Sequence, residues 1–348
     1  MNRRKFLEHG AALVAAGAAG LAASATAPAL AKPMSPTATG WVWDDIFLTP
    51  FFSPTHPEQP ERVAAIRRAV EAQGLARDLR PIAIREPSEN ELRLIHTDAH
   101  MAGIRRNHGE AIDRLGRAGV GATLAACEAV HAHQVRNAFV CSRPPGHHAR
   151  NEGEVVGFCL YNNVAIAARH LQRHLGFKRI LIVDWDYHHG DGTEHFFYED
   201  PSVLLFDTHD WRAYPRTGDP ARRGAGAAVG TKISVDLPCG ATDAQVLRAY
   251  DEQLLPAAEA FRPDFVLISA GFDSRTQDKL GCFDITDEGY RQMTERVCAI
   301  ARKHCGGRVV SVLEGGYNFE GIASGVAAHV RALMGFAGRT SRAATGQP

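Results

Sequence analysis

Over residues 179–193 the chain reads Arg-Ile-Leu-Ile-Val-Asp-Trp-Asp-Tyr-His-His-Gly-Asp-Gly-Thr. Its apolar run predicts a buried strand of a parallel sheet, and five acidic or imidazole side chains follow that run directly. Because side chains alternate in an extended segment, Asp184, Asp186 and His188 lie on one side of it. Carboxylates clustered at a buried strand end repel one another unless a metal ion or a proton compensates them, and a carboxylate and an imidazole two residues apart can bind one cation. The segment is therefore a candidate metal site.

Apolar runs and helical patterns alternate along the rest of the chain. Further strands are predicted over residues 137–141, 202–206, 232–235, 264–269 and 308–313. Helices are predicted over residues 61–71, 121–132, 163–175, 244–261, 286–303 and 321–334. This alternation indicates a parallel sheet that helices cover on both faces. The ligand site of such a sheet lies beyond the carboxyl ends of its strands.

Polar motifs follow three more of the predicted strands. They are Arg-Pro-Pro-Gly-His-His-Ala, Ser-Ala-Gly-Phe-Asp and Glu-Gly-Gly-Tyr, at residues 143–149, 269–273 and 314–317. The histidine pair suits general-base chemistry, especially where a carboxylate binds the far ring nitrogen. The other two motifs offer one more carboxylate, Asp273, and one hydroxyl donor, Tyr317.

Composition narrows the class of protein. The chain has 348 residues, of which 45% are hydrophobic and 22% charged, as in ordinary globular domains. Lys plus Arg and Asp plus Glu each number 39, so the formal net charge is zero and a nucleic acid partner is not expected. No run of 18 strongly apolar residues occurs, which excludes a polytopic membrane protein.

The N-terminus is typical of an export signal. Residues 2–7 read Asn-Arg-Arg-Lys-Phe-Leu and resemble the twin-arginine signature. An Ala/Gly-rich stretch follows, and Ala-Leu-Ala at 29–31 offers a small-residue cleavage site. We expect a signal peptide over 1–31 and a linker over 32–40. The mature protein would then be periplasmic and not stably inserted in the membrane. The alternative is a single membrane anchor, which the low leucine content of the Ala/Gly-rich stretch disfavours.

The remaining residues are assigned to one domain over 41–336 and a flexible tail over 337–348. Seven cysteines occur, at positions 127, 141, 159, 239, 282, 298 and 305. Their odd number and the absence of a Cys-x-x-Cys pair predict neither a disulfide framework nor a zinc knuckle.

Several motifs, in order along the chain, resemble those of the zinc-dependent histone deacetylase family. They are His-Pro-Glu-x-Pro-Glu-Arg at 56–62, Gly-Phe-Cys at 157–159, Asp-x-Asp-x-His-His-Gly-Asp-Gly at 184–192 and the motifs at 143–149, 269–273 and 314–317. The class II branch, with bacterial deacetylase-like and acetylpolyamine amidohydrolases, is the most similar. The resemblance implies the arginase/deacetylase fold, a three-layer α/β/α domain with a mostly parallel sheet of about eight strands.

The resemblance also implies roles for single residues. Asp186, His188 and Asp273 would ligate a catalytic zinc ion and leave one position open; iron(II) could replace zinc in such a site.

By the same resemblance, His148 would be the general base, oriented by Asp191. His147 would be its electrostatic neighbour, paired with Asp184. Tyr317 would donate a hydrogen bond to the oxygen that becomes negative during the reaction.

The substrate tunnel and a potassium ion are implied in the same way. Gly157, Phe158 and Tyr214 would line the tunnel, and Leu280 would stand at its rim, where acetylpolyamine specialists can carry an acidic residue. Asp184 would help to hold a structural potassium ion. Near it, Asp-Thr-His at 207–209 stands where the family commonly has Ser-Leu-His.

Together these features predict a zinc-dependent amidohydrolase that removes acetyl or short acyl groups from amines. The substrate is an acyl-lysine peptide, an acetylpolyamine or a similar amine, and the oligomeric state is left open. One alternative is an acetylpolyamine amidohydrolase. Another is a catalytically weak acyl-amine-binding protein, which would normally lack a ligand or carry His or Phe at position 317. A binuclear manganese ureohydrolase would need more bridging carboxylates.

We predict that replacing Arg3 and Arg4 with lysine traps the precursor in the cytoplasm, because the arginine pair is the part of the signal that the export route reads. Cell fractionation followed by detection of precursor and mature protein measures this. Normal export of the double variant would contradict the prediction.

Overall fold

Eight parallel strands form one sheet in the computed structural model, which describes residues 37–344 and side chains up to residue 337. The strands are β1 (Thr39–Val42), β2 (Arg80–Ile82), β3 (Asn137–Val140), β4 (Ile180–Asp184), β5 (Val203–His209), β6 (Lys232–Asp236), β7 (Phe265–Ala270) and β8 (Val309–Leu313). Their spatial order is β2-β1-β3-β8-β7-β4-β5-β6. This sheet, with its helices, confirms the predicted α/β/α class.

Helices connect the strands. They are α1 (Glu61–Ala72), α2 (Glu89–Leu92), α3 (Asp98–His108), α4 (Glu110–His131), α5 (Asn163–Arg173), α6 (Asp191–Phe197), α7 (Asp243–Ala249), α8 (Leu255–Phe261), α9 (Asp287–His304) and α10 (Phe319–Ala344). A π-helical turn at Tyr250–Leu254 joins α7 to α8, so the single helix predicted over 244–261 is interrupted. Across residues 37–344, no helix is long and apolar enough to cross a bilayer.

The predicted domain boundaries need two corrections. Thr39 and Gly40, assigned to the linker, belong to β1 and pair with β3. The flexible tail predicted from Ala337 is instead helical, since α10 continues to Ala344 and Ala337 is buried. The predicted signal peptide, the rest of the linker up to residue 36 and residues 345–348 lie outside the described residues.

Four adjacent central strands bring the polar motifs to one edge of the sheet. In the order β3-β8-β7-β4, each of these strands ends inside one of the motifs or with at most two residues between the strand and the motif. Their ends are aligned: Val140 lies opposite Val312, and Ala270 lies opposite Leu313. The carboxyl ends of parallel strands therefore meet where the alternation of apolar and polar segments predicted a ligand site.

One disulfide corrects the cysteine prediction. Cys239 and Cys282 are bonded although 43 residues separate them. The segments that carry them pair locally, with the Gly240 N–H donating to the Cys282 carbonyl at 2.6 Å. Sequence spacing does not reveal such a pair, because loops from different parts of the chain create it. The other five cysteines are buried thiols.

Candidate active site

Three donor side chains converge beyond the ends of β4 and β7. Nδ1 of His188 lies 3.1 Å from Oδ1 of Asp186 and 3.0 Å from Oδ2 of Asp273. Both carboxylates are buried, and the three ligand atoms lie within 4.8 Å of one another. The structure thus brings together the three residues predicted as metal ligands, at a spacing that a single ion can bridge.

The electrostatics of this cluster fit a divalent cation. Burial alone would lower the pKa of His188, but hydrogen bonds with Asp186 and Asp273 raise it to about 10. Burial and the nearby Asp186 raise the pKa of Asp273 to about 7. The position therefore favours positive charge, and two carboxylates with one imidazole are a donor set that zinc accepts with one position open.

Two glycines let the backbone approach the carboxylates. A Cβ atom at Gly271 would overlap the side chain of Asp186, and one at Gly315 would overlap that of Asp273. The Gly315 N–H donates to Oδ2 of Asp186 at 2.8 Å, which adds a charge-assisted hydrogen bond to a buried carboxylate. Glycine at these two positions is thus a requirement of the site.

Each histidine of the His147-His148 pair has a carboxylate partner. Nδ1 of His147 lies 3.0 Å from Oδ2 of Asp184, and Nδ1 of His148 lies 2.7 Å from Oδ1 of Asp191. Burial and the charge of His147 lower the pKa of His148 to about 4. Against the effect of burial, Asp186 and Asp184 raise the pKa of His147 well above its ordinary value. These shifts favour a neutral imidazole at His148 and a positively charged one at His147.

Glu314 joins the histidine loop to the loop that carries Tyr317. Its carboxylate accepts hydrogen bonds from the backbone N–H of Gly146 at 2.6 Å and of His147 at 3.2 Å. Only the tyrosine of the Glu-Gly-Gly-Tyr motif was predicted to act in the site, and the glutamate was missed. Its signal was a charged residue directly after an apolar strand, where a buried carboxylate needs donors.

Arg62, also missed, holds the backbone on both sides of Tyr317. Its Nε donates to the carbonyl of Gly316 at 2.6 Å, and Nη2 donates to the carbonyl of Glu314. The guanidinium carbon lies 4.9 Å from the centroid of the Tyr317 ring. On the other side, the Tyr317 N–H donates to Oδ2 of Asp278 at 2.7 Å. These contacts fix the direction in which the tyrosine hydroxyl points.

A cavity of about 420 Å³ opens over these side chains. Its walls include His148, His188, Tyr317 and the four predicted substrate-binding residues, Gly157, Phe158, Tyr214 and Leu280. Tyr187 and Ala213 also line it and were not predicted. The Tyr187 N–H donates to Oδ1 of Asp273 at 2.8 Å instead of to a neighbouring strand. Tyr187 therefore lies beyond the end of β4, where side chains no longer alternate between the two faces of the sheet.

The mouth of this cavity is apolar. Tyr214 is 48% exposed, and Leu280 is 39% exposed. Phe158 continues outward as an aromatic wall, with its ring centroid 4.5 Å from that of His56 and 5.7 Å from that of Phe52. None of the described residues that line the cavity carries a carboxylate. The entrance thus suits an aliphatic or aromatic group better than a second ammonium group.

Asp207 adds a carboxylate beside Asp184. The two residues are opposite each other in the register of β4 and β5. Asp207 already has partners, because its oxygens lie 2.6 Å from Nδ1 of His209 and 2.9 Å from the N–H of Gly190. Burial by itself would raise the pKa of Asp207, but His209 and His189 lower it. This carboxylate is therefore ionised and hydrogen-bonded within the protein.

Known proteins resemble this chain along most of its length. The family model for the histone deacetylase domain matches residues 56–333. A probable deacetylase of Archaeoglobus fulgidus is 39% identical over 298 residues, which cover 81% of this chain and 82% of that protein. Polyamine deacetylase HDAC10 of Homo sapiens is 35% identical over 324 residues, which cover 86% of this chain and 47% of that protein. The crystal structure of the HDA15 HD domain matches with a TM-score of 0.80 and 34% identity, covering 86% of this chain and 89% of that one.

These matches span the four central strands and every loop of the site. The relatives are named deacetylases, and the solved domain has the same fold. The chain therefore belongs to the histone deacetylase family and is a deacetylase.

Proposed function

We propose that the protein is a zinc-dependent amidohydrolase that removes acetyl or short acyl groups from lysine-like amines. One observation carries the proposal: the donors Asp186, His188 and Asp273, the His148–Asp191 pair and Tyr317 all meet at the cavity of about 420 Å³. A weak acyl-amine-binding protein would not need this combination of donors, base and hydroxyl.

The residues that would hold zinc are Asp186, His188 and Asp273. When bound, zinc supplies a Lewis acid that polarises a carbonyl oxygen and lowers the pKa of water. Iron(II) is the other candidate, since this donor set does not select strongly between the two ions.

His148 is suited to move the protons. Its Nδ1 is engaged by Asp191, so Nε2 is the nitrogen left for the cavity. A neutral imidazole accepts a proton from the attacking water and later donates it to the leaving amine. Asp191 holds the ring orientation and stabilises the imidazolium while it exists. Positive charge at His147 lowers the pKa of His148 and so opposes its early protonation.

Tyr317 is suited to bind the substrate oxygen. As water adds to the amide carbon, the carbonyl oxygen becomes negative, and a hydroxyl fixed beforehand stabilises that charge without reorganising. The contacts of Arg62 and Asp278 with the Tyr317 segment provide this fixed position.

The walls of the cavity favour an aliphatic chain between Phe158 and Tyr214. A lysine side chain has such a chain and needs no charged partner at the mouth. Acetylpolyamines are a second candidate substrate class, because some of the relatives are named polyamine deacetylases. Leu280 disfavours that class, because the distant ammonium of a polyamine would lose hydration without gaining a carboxylate.

Export to the periplasm and a structural potassium ion beside Asp184 are further proposals. The Cys239–Cys282 bond supports export, because disulfides persist in oxidising compartments. The proposal of a potassium ion rests on the family resemblance. In this chain, Asp207 replaces the usual serine near that position and is already paired with His209.

We predict that Asp273→Ala loses metal and not only rate. Loss of an outer hydrogen-bonding partner weakens metal binding by about 10- to 100-fold, so loss of a ligand should weaken it by more than about 100-fold. Elemental analysis after gel filtration measures zinc and reports iron and potassium in the same run. Asp191→Asn is the control and should retain its metal; full zinc occupancy in Asp273→Ala would show that the ligand assignment is wrong.

We predict that Tyr317→Phe lowers kcat by about 100- to 1,000-fold, or roughly 3–4 kcal/mol, with little change in KM or zinc content. Only the oxygen that acts in the transition state is removed, and the ring packing stays. Tyr214→Phe, on the opposite wall, is the matched control and should keep most of its activity. A wild-type kcat in Tyr317→Phe with zinc retained would remove this residue from the reaction.

We predict a higher kcat/KM for an acetyl-lysine peptide than for an N-acetylated diamine. Leu280→Glu should raise kcat/KM for the diamine about fivefold, since a surface ion pair contributes up to about 1 kcal/mol. Steady-state assays of both substrates with both proteins measure this. If the wild-type protein strongly prefers the diamine, the argument from the apolar mouth fails.

A further inference from the structure

Arg150 contacts the carboxylate that orients the catalytic histidine. Its Nη2 donates to Oδ2 of Asp191, while Oδ1 of the same carboxylate lies 2.7 Å from Nδ1 of His148. Asp191 is 4% exposed, and the Arg150 side chain is 33% exposed. The three side chains thus form a row that runs from the solvent side to the substrate cavity.

A second cavity lies on the outer side of this row. It has a volume of about 920 Å³, and Arg150, Asp191, Arg216 and Arg222 are among its lining residues. Water in this cavity would reach Oδ2 of Asp191 if the guanidinium of Arg150 were removed. The other arginines that line the cavity have different positions: Arg169 pairs with Asp200 at 2.5 Å, Arg222 lies 3.5 Å from Glu194, and Arg216 is exposed.

Close backbone packing holds Arg150 near Asp191. The Thr193 N–H donates to the carbonyl of His147 at 3.1 Å. A Cβ atom at Gly192 would lie 2.5 Å from the carbonyl oxygen of Ala149, so only glycine permits this approach. The segment that precedes Arg150 and the first turn of α6 are therefore in direct contact.

We infer that Arg150 is a positioning residue, which acts through Asp191 to keep His148 in its productive orientation. The inference rests on the proposed roles of His148 and Asp191. A carboxylate held at one oxygen can rotate about its Cβ–Cγ bond, whereas one held at both oxygens, by an imidazole N–H and a charged guanidinium, keeps its plane. The second donor also keeps the carboxylate ionised: although burial acts in the opposite direction, His148 and Arg150 lower the pKa of Asp191 to about 2.

The test is steady-state kinetics of Arg150→Met with an acetyl-lysine peptide. This change keeps the length of the side chain and removes the guanidinium. We expect kcat to fall about 10- to 100-fold with KM and zinc content unchanged, because a small misplacement of a catalytic group has an effect of this size. Arg150→Lys should recover part of kcat, since it restores one charged donor.

Arg216→Met is the matched control. It removes the same charge from the same cavity without touching Asp191, and its kcat should stay within about twofold of the wild-type value. In the Asp191→Asn background, Arg150→Met should change kcat by less than about twofold, because a residue that acts only through Asp191 has nothing left to position. If Arg150→Met does not fold, Arg150→Gln is assayed in its place, with the same expectation.

A wild-type kcat in a folded Arg150→Met or Arg150→Gln variant would overturn the inference. So would an equal loss in Arg216→Met, or a full further loss when Arg150→Met is added to Asp191→Asn. If instead Asp191→Asn alone has a wild-type kcat, the proposed function is at fault, and the role of Arg150 falls with it.

Discussion

Buried negative charge at the carboxyl edge of the sheet is the constraint on which this structure depends. Asp184, Asp186, Asp273 and Glu314 are almost completely inaccessible to water, and three neighbouring strands, β4, β7 and β8, deliver them to one place. An isolated buried carboxylate is costly, so each must be compensated. The protein uses a different partner for each: the imidazole of His147 for Asp184, backbone amides for Glu314, and His188 for the two carboxylates of the proposed metal site.

The same constraint explains why the sequence could predict which residues lie together at this edge. The core strands are continuous apolar runs, and the residues after them are polar because the ligand site lies there. The metal donors, the histidine pair and Tyr317 were therefore visible as motifs at strand ends. The short strands β1 and β2 were not, since three or four residues carry too little pattern to stand out. Ala337 was misread because small residues predict a loose tail as readily as a buried helix.

Contacts between distant segments account for what the sequence did not reveal. Cys239 meets Cys282 through the pairing of two loops, and Arg62 reaches the Tyr317 segment from 254 residues away. Neither partner is marked by spacing in the chain. Tyr187 was missed for a different reason: alternation is a property of regular strands, and here the backbone turns to donate to Asp273. Pattern thus predicts residues in regular elements and fails where loops determine the direction of a side chain.

The difference between strand ends and loops separates the chemistry of the enzyme from its choice of substrate. The proposed reacting groups stand at the ends of central strands, where packing on every side restricts their movement. The mouth of the cavity is made by loops around Tyr214 and Leu280, which carry none of the predicted metal ligands and are exposed to solvent. A change at the mouth can alter which amine enters without disturbing the buried carboxylates, whereas a change at a strand end leaves a charge uncompensated. The loops of this fold can therefore change in sequence and alter the substrate preference, while the residues at the strand ends retain the same reaction.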